Sequence, residues 1–265
     1  MNPVEVIQSD GPVILGQPHG GTFVPEEIMS RLNDNGRLLA DTDWHIGKLY
    51  NDMLVGASIV RATFHRYVID ANRDPTGASL YPGQNTTGLC PVTDFDGAPI
   101  WKTGAEPNAR DITKLTAEFH RPYHAALEKE IARVKAKHGI AIVYDCHSIR
   151  SRIPFLFEGE LPALNFGTDN GKTCAPSIES EPLRIANASG FSTVLNGRFR
   201  GGWTTRHYGK PETGVHAIQM EIAQSAYLEA EAPPWAYCEE KAEHLRRTLK
   251  KILQSIAEKA LELKI

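Results

Sequence analysis

Five apolar or β-prone residues, Ile140-Ala141-Ile142-Val143-Tyr144, run without a break into Asp145-Cys146-His147-Ser148. An unbroken apolar run of that length suits a strand covered on both faces, as central strands of parallel α/β sheets are. Sheets of that class take ligands in the crevice at the carboxyl ends of their strands. The acid, thiol, imidazole and hydroxyl closing this run are therefore expected at a site. Two further segments share the design. Val13-Ile14-Leu15 leads through Gly16-Gln17-Pro18 to His19-Gly20-Gly21, and Val215-His216-Ala217-Ile218-Gln219-Met220 leads to Glu221. Three strand ends would bring His19, His147 and Glu221 to one edge of one sheet.

Around these runs the chain alternates between the two periodicities. Residues 58–61, 66–69 and 191–195 read as short strands, the last closed by an Asn196-Gly197 turn. Helical spacing recurs over residues 37–55. It recurs again in Ile112, Leu115, Phe119, Tyr123, Leu127, Ile131 and Val134, with Pro122 placed to kink or restart the helix and Gly139 as its C-cap. A third amphipathic stretch runs from Ala236 through Leu245, Leu249, Ile252, Leu253 and Ile256. Residues 166–177 read as a loop. Residues 76–107 are rich in Gly, Pro, Asn, Thr and Asp without periodicity, an excursion expected to form a wall or lid over the site. At 265 residues the chain suits one α/β domain over residues 1–265.

A formal net charge of −3 gives no electrostatic footprint for nucleic acid or an anionic membrane, so neither is an expected partner. The four cysteines, Cys90, Cys146, Cys174 and Cys238, are widely spaced, and the N-terminus has no charged start followed by an apolar stretch. Together these read as a reduced, cytoplasmic protein. The sequence sets no oligomeric state.

A catalytic zinc takes three protein ligands from His, Asp, Glu and Cys and leaves a fourth position for water. His19 and His147 suit that use, with Asp41 or Asp43 as the acid, although an acid there also suits a helix N-terminus. Glu221 fits a general base beside such a water. His120 and His124, four apart on a helix, are read as packing or supporting residues ahead of ligands, because a proline intervenes and no glutamate follows the first. The segment from Arg198 to Gly209 sets three arginines and a histidine among glycines and aromatics, which suits either an anion pocket or a solvated hairpin.

Six motifs in a fixed order carry a family resemblance. They are His19-Gly20-Gly21, Asp41-Thr42-Asp43-Trp44-His45, Asp70-Ala71-Asn72-Arg73-Asp74-Pro75, Asp145-Cys146-His147-Ser148, Gly201-Gly202-Trp203-Thr204-Thr205-Arg206-His207-Tyr208-Gly209, and Gly214-Val215-His216-Ala217-Ile218-Gln219-Met220-Glu221. Together they resemble the N-formylglutamate amidohydrolase (deformylase) family, itself similar to zinc carboxypeptidases and aspartoacylases. The resemblance implies a single domain with a mixed, mostly parallel central sheet flanked by helices, in a phosphorylase/hydrolase-like, zinc-exopeptidase-like arrangement. It implies one zinc ion on His19, an acid and His147, with Glu221 as general base, Arg66 polarising the scissile carbonyl, and Asn72 with Arg73 clamping a substrate carboxylate. The related enzymes carry His-x-x-Glu where this chain has Thr22, so the acidic ligand comes from elsewhere: Asp43 is preferred, with Asp41 or His45 open. Arg206 is assigned to a second carboxylate.

The reaction so implied is hydrolysis of N-formyl-L-glutamate to formate and L-glutamate, a closing step of histidine degradation, by a metal-activated water. The partner is a small substrate bearing carboxylates. Hydrolysis of another N-acyl amino acid or small amide, and non-catalytic binding of an acidic metabolite, are the alternatives.

Overall fold

The computed structural model describes residues 1–79 and 83–263. Seven strands form one sheet: β1 (Val4–Ile7), β2 (Val13–Gln17), β3 (Ser58–Ala62), β4 (Ala141–Ile149), β5 (Leu164–Gly167), β6 (Thr193–Leu195) and β7 (Val215–Ala223). Their order is β1-β3-β2-β4-β7-β5-β6. The four central strands β3, β2, β4 and β7 are parallel, while β1 joins β3 and β5 joins β7 antiparallel. The sheet is thus mixed and parallel at its centre. The helices are α1 (Glu26–Met29), α2 (Asp34–Arg37), α3 (Ile46–Tyr50), α4 (Ala109–Leu115), α5 (Arg121–His138), α6 (Pro176–Asn187), α7 (Trp203–Tyr208) and α8 (Glu239–Glu262).

Every residue of β4 and β7 is buried, and the two pair in register from Ala141↔Val215 to Ile149↔Ala223. Alternation along these strands splits their side chains between two cores. Tyr144, Cys146, Ile218 and Met220 face the cluster built on α3, α6 and α8. Ala141, Val143 and Ala217 face the cluster that Tyr123, Leu127, Ile131 and Val134 of α5 supply. Each fully buried aliphatic or aromatic side chain contributes about 1.5–3 kcal/mol, so the two clusters hold the sheet between its helices.

Asp145, His147 and Glu221 lie within β4 and β7, not beyond them, because both strands run on past the expected carboxyl ends. The polar residues occupy the α5 face, where Ala141, Val143 and Ala217 sit earlier along the strands. Ser148 and Cys146 point to the opposite face, with Ser148 Oγ accepting from Tyr227 Oη at 2.7 Å.

Several expected elements differ. Residues 37–55 form only the end of α2 and the short α3, because Leu39, His45 and Asp52 adopt left-handed backbone and interrupt the helix. Residues 66–69 are a buried turn and not a strand. His65 accepts from the Val68 amide at 2.9 Å and, through Nδ1, from the Tyr67 amide at 3.0 Å, so the apolar run reflects burial without sheet pairing. The start of the expected loop at 166–177 belongs to β5, and residues 203–208 form helix α7 where a hairpin was one of the readings.

Pro122 does sit where the long helix restarts. A π-helical turn, Thr116–His120, joins α4 to α5, and Gly139 caps α5 with φ 75°. Within residues 76–107 the described part forms no helix or named strand; residues 80–82 of that excursion lie outside the described residues.

Candidate metal centre and cleft

His19 follows β2 on a turn that only glycine allows. A Cβ on Gly21 would lie 2.4 Å from the Thr63 carbonyl carbon. The Asp43 amide donates to His19 O at 3.1 Å, and the Ser148 amide donates to Asp43 Oδ2 at 3.2 Å. Backbone from three separate parts of the chain therefore locks His19, Asp43 and His147 together. These three are the group of His, Cys, Asp and Glu side chains, among the described residues, whose donor atoms could hold a metal ion, all within 4.8 Å of one another.

The donor chemistry fits a cation. The facing atoms are His19 Nδ1 and His147 Nδ1 at 3.1 Å, His147 Nδ1 and Asp43 Oδ2 at 3.4 Å, and His19 Nδ1 and Asp43 Oδ2 at 3.9 Å. Tetrahedral metal–ligand bonds of about 2.0–2.2 Å give ligand–ligand edges of roughly 3.3–3.6 Å, close to these separations. The far side of each imidazole meets a carboxylate. His19 Nε2 donates to Asp70 Oδ1 at 2.7 Å, and His147 Nε2 lies 3.1 Å from Asp145 Oδ2. An ionised carboxylate only accepts, so these contacts set the N–H on Nε2 and turn the Nδ1 lone pairs inward.

The charges around this point favour a cation, whether a metal ion or a proton on His147. Burial, then the Arg66 charge, pushes His19 down to about 4, so it is neutral and able to ligate. Burial works to lower His147 too, but Asp145, Asp43 and Glu221 raise it well above the ordinary range. For Asp43, burial favours the neutral acid, yet the His147 hydrogen bond and the His19 and Arg66 charges hold it below the usual range. Four buried carboxylates, Asp43, Asp70, Asp145 and Glu221, surround this point and favour positive charge there.

Glu221 lies beside the group, paired in register with His147, and its Oε2 accepts from Gln219 Nε2 at 3.2 Å. Burial raises its pKa strongly, as befits a carboxyl that exchanges a proton near neutrality. Arg66, also buried, lies over the Phe95 ring at 4.9 Å with Nη2 3.7 Å from Asp43 Oδ1; its Nε has no protein partner. A cleft lined by His19, Arg66, Asn72, Arg73, His147 and Glu221 opens onto these groups. Its outer wall includes Thr86, Thr87, Phe95, Leu156, Arg198 and Phe199, so part of the 76–107 excursion does border the cleft.

Of the remaining sequence candidates, Asp41 and His45 lie outside the donor group. Asp41 Oδ2 accepts from Tyr67 Oη and the Phe95 amide, which fixes the ring beneath Arg66. His45 meets Trp235 O at 2.9 Å. Asn72 lines the cleft, with Oδ1 accepting from the Thr204 amide and Nδ2 lying 3.0 Å from His147 Nε2. Close packing keeps it there, since a Cβ on Gly202 would stand 2.3 Å from Asn72 Nδ2. Arg73 lines the cleft while donating to Thr87 O, Thr87 Oγ1 and Asn72 O. Arg206 is placed elsewhere, donating to Gly201 O and standing 3.5 Å from Asp169, and the cleft lining does not include it.

His120 and His124 support the site's backbone. They meet Arg73 O at 3.0 Å and Ala71 O at 2.7 Å, which steadies the loop bearing Asp70, Asn72 and Arg73.

The sequence reading gave no role to Asp70, Phe95 or Gln219, and to Arg198 only a share in the 198–209 segment, read as an anion pocket or a hairpin. Gln219 was recoverable: it stands two residues before Glu221 as Asp145 stands before His147, and strand alternation puts such pairs on one face. Phe95 had no such signal, because its place depends on Asp41 catching its amide.

The model of the N-formylglutamate amidohydrolase family matches residues 11–228. Two proteins named N-formylglutamate deformylase, from Pseudomonas aeruginosa and Pseudomonas putida, are each 43% identical to this chain over 247 residues, covering 92% of either partner. Among solved structures, an N-formylglutamate amidohydrolase from Ralstonia eutropha superposes with a TM-score of 0.82 at 24% identity, covering 99% of both chains. A gene product of Agrobacterium tumefaciens follows at 0.72 and 19% identity, covering 99% of this chain and 96% of its own. At such identities the two structures speak for the fold alone. No described helix is long and apolar enough to cross a membrane.

Proposed function

The chain belongs to the N-formylglutamate amidohydrolase family, and on that premise we propose that it hydrolyses N-formyl-L-glutamate to formate and L-glutamate, with zinc held by His19, Asp43 and His147. The observation that carries the reading is the convergence of those three donors beside a buried glutamate and a buried arginine in one cleft.

A divalent ion there supplies a Lewis acid and lowers the pKa of a water. The other roles fall to the chain. Glu221 accepts the proton of the attacking water, and the carboxyl so formed keeps it readily, because burial disfavours its charged state. When the formyl C–N bond breaks, the same carboxyl gives that proton to the leaving amine, leaving formate and a free amino acid. Arg66 offers N–H donors from a fixed position to the oxygen that gains charge. Arg73 meets the α-carboxylate. Asn72, whose Oδ1 accepts from the Thr204 amide, keeps its Nδ2 at the cleft beside His147, where its N–H groups join Arg73 on the carboxylate.

The test is formate release from N-formyl-L-glutamate by the purified protein, abolished by a chelator and restored by zinc. Cleavage of other N-acyl amino acids but not of N-formylglutamate would assign the site to a different substrate; no formate and no bound metal would remove the hydrolytic reading.

A further inference from the structure

Three arginines stand in residues 198–206, and the structure puts Arg198 in the wall of the cleft while Arg206 lies against Asp169. Arg198 Nε donates to Leu156 O and Nη2 to Asn85 O, each at 3.0 Å, and its guanidinium carbon lies 5.4 Å from the Phe199 ring centre. These two carbonyl contacts aim the planar fork.

The segment that holds Arg198 also holds the other rim cation. Arg73 Nε donates to Thr87 O at 2.9 Å, and its Nη2 lies 3.1 Å from Thr87 Oγ1 and 3.4 Å from Thr86 Oγ1. Residues 85–87 therefore brace two guanidinium groups from one stretch of backbone. The groups differ in depth. Arg73 follows directly on Asn72, whose amide touches His147, whereas Arg198 is fastened to the outer wall by Leu156 and Asn85. Beside Arg198 the wall offers the apolar surfaces of Ile149, Leu156 and Phe199.

From these contacts we infer that Arg198 receives the side-chain carboxylate of the substrate, and that residues 85–87, by spacing it from Arg73, select the length of the dicarboxylate. The inference rests on the function proposed above, which puts the formyl carbon between Glu221 and the donor group. The α-carboxylate is then close to Arg73, and two methylenes carry the second carboxylate past the apolar wall to Arg198.

The measurement is kcat/KM of the zinc-loaded enzyme on N-formyl-L-glutamate and on its uncharged isostere N-formyl-L-glutamine, in wild type, Arg198→Gln, Arg198→Lys and Arg206→Gln. Loss of a desolvated ion-pair contact costs about 2 kcal/mol or more, so the glutamate-to-glutamine ratio falls roughly 30-fold or more in Arg198→Gln. It recovers in part in Arg198→Lys and keeps its wild-type value in Arg206→Gln. Dissociation constants of L-glutamate and L-glutamine, read by calorimetry, give the same ratio without turnover. An unchanged ratio in Arg198→Gln, or the same collapse in Arg206→Gln, would overturn the assignment. A wild type that binds and cleaves the glutamine compound but not N-formylglutamate would instead overturn the function itself.

Discussion

His147 and Glu221 are register partners across the two central strands β4 and β7. The proposed metal ligand and the proposed general base are therefore spaced by a ladder of backbone hydrogen bonds in the middle of the sheet, flanked on both sides by paired strands. Loops supply His19 and Asp43, and these are fastened to the ladder through the Ser148 amide and to each other through His19 O. The spacing of these two side chains is thus a property of the sheet, and surface substitutions are expected to leave it alone.

Glu221→Gln keeps the side chain's shape and its place opposite His147 but removes the proton acceptor. General-base catalysis is worth about 10²–10⁴ in rate, so kcat is expected to fall by that factor while zinc content stays near wild type. Metal analysis and steady-state kinetics on one preparation check both halves. A kcat near wild type would take Glu221 out of the mechanism.

Asp70→Asn tests the carboxylate behind His19. Asp70 Oδ1 takes the Nε2 proton of His19 at 2.7 Å and also accepts from the Asn72 amide at 2.8 Å. Partners of this kind fix the tautomer of a ligating histidine, and their loss costs about 10–100-fold in metal affinity. Zinc competition with a chromogenic chelator should show a weakening of that size. Undiminished affinity would mean that the Asp70 contact does not set the orientation of His19.

How far the sequence shows all this depends on what determines each feature. β4, β7 and β2 were legible because strands covered on both faces read as plain apolar runs. His19, His147 and Glu221 were legible because polar groups interrupt or end those runs, although the place of His147 and Glu221 within their strands was not, since strand length depends on the partner's length. Asp43 was preferred from the sequence with Asp41 and His45 left open, and the coordinates put Asp43 alone of the three in the donor group: the chain between Leu39 and His45 turns through left-handed backbone, so Asp41 and Asp43 diverge. Arg206 was chosen because its arginine-rich segment lies just before the strand that ends in Glu221. The fold puts 203–208 into α7, and the lining of the cleft includes Arg198 of the same segment but not Arg206.

His124 supplies a pH dependence of stability separate from the metal donors. Burial, with the nearby His120, pushes it down to about 3, against an ordinary value near 6.5. It is neutral in the fold, placed between Ala71 O at Nε2 and the Tyr208 hydroxyl at Nδ1. The sign follows from proton counts. Between pH 6.5 and 3 the unfolded chain binds a proton at this residue and the folded chain does not. The contribution of His124 is therefore fully present above 6.5 and is lost as pH falls through that window, with a slope of at most about 1.4 kcal/mol per pH unit. His124→Gln removes the titration. Urea unfolding at a series of pH values from 7 to 4, with chelator present in both proteins, should show a flatter acid limb for the variant, even if its stability at pH 7 is lower for want of the Ala71 contact. Parallel limbs for the two proteins would show that His124 takes up its proton without opening the fold. The backbone of the Asp70–Arg73 loop would then have to be held by other contacts than this one.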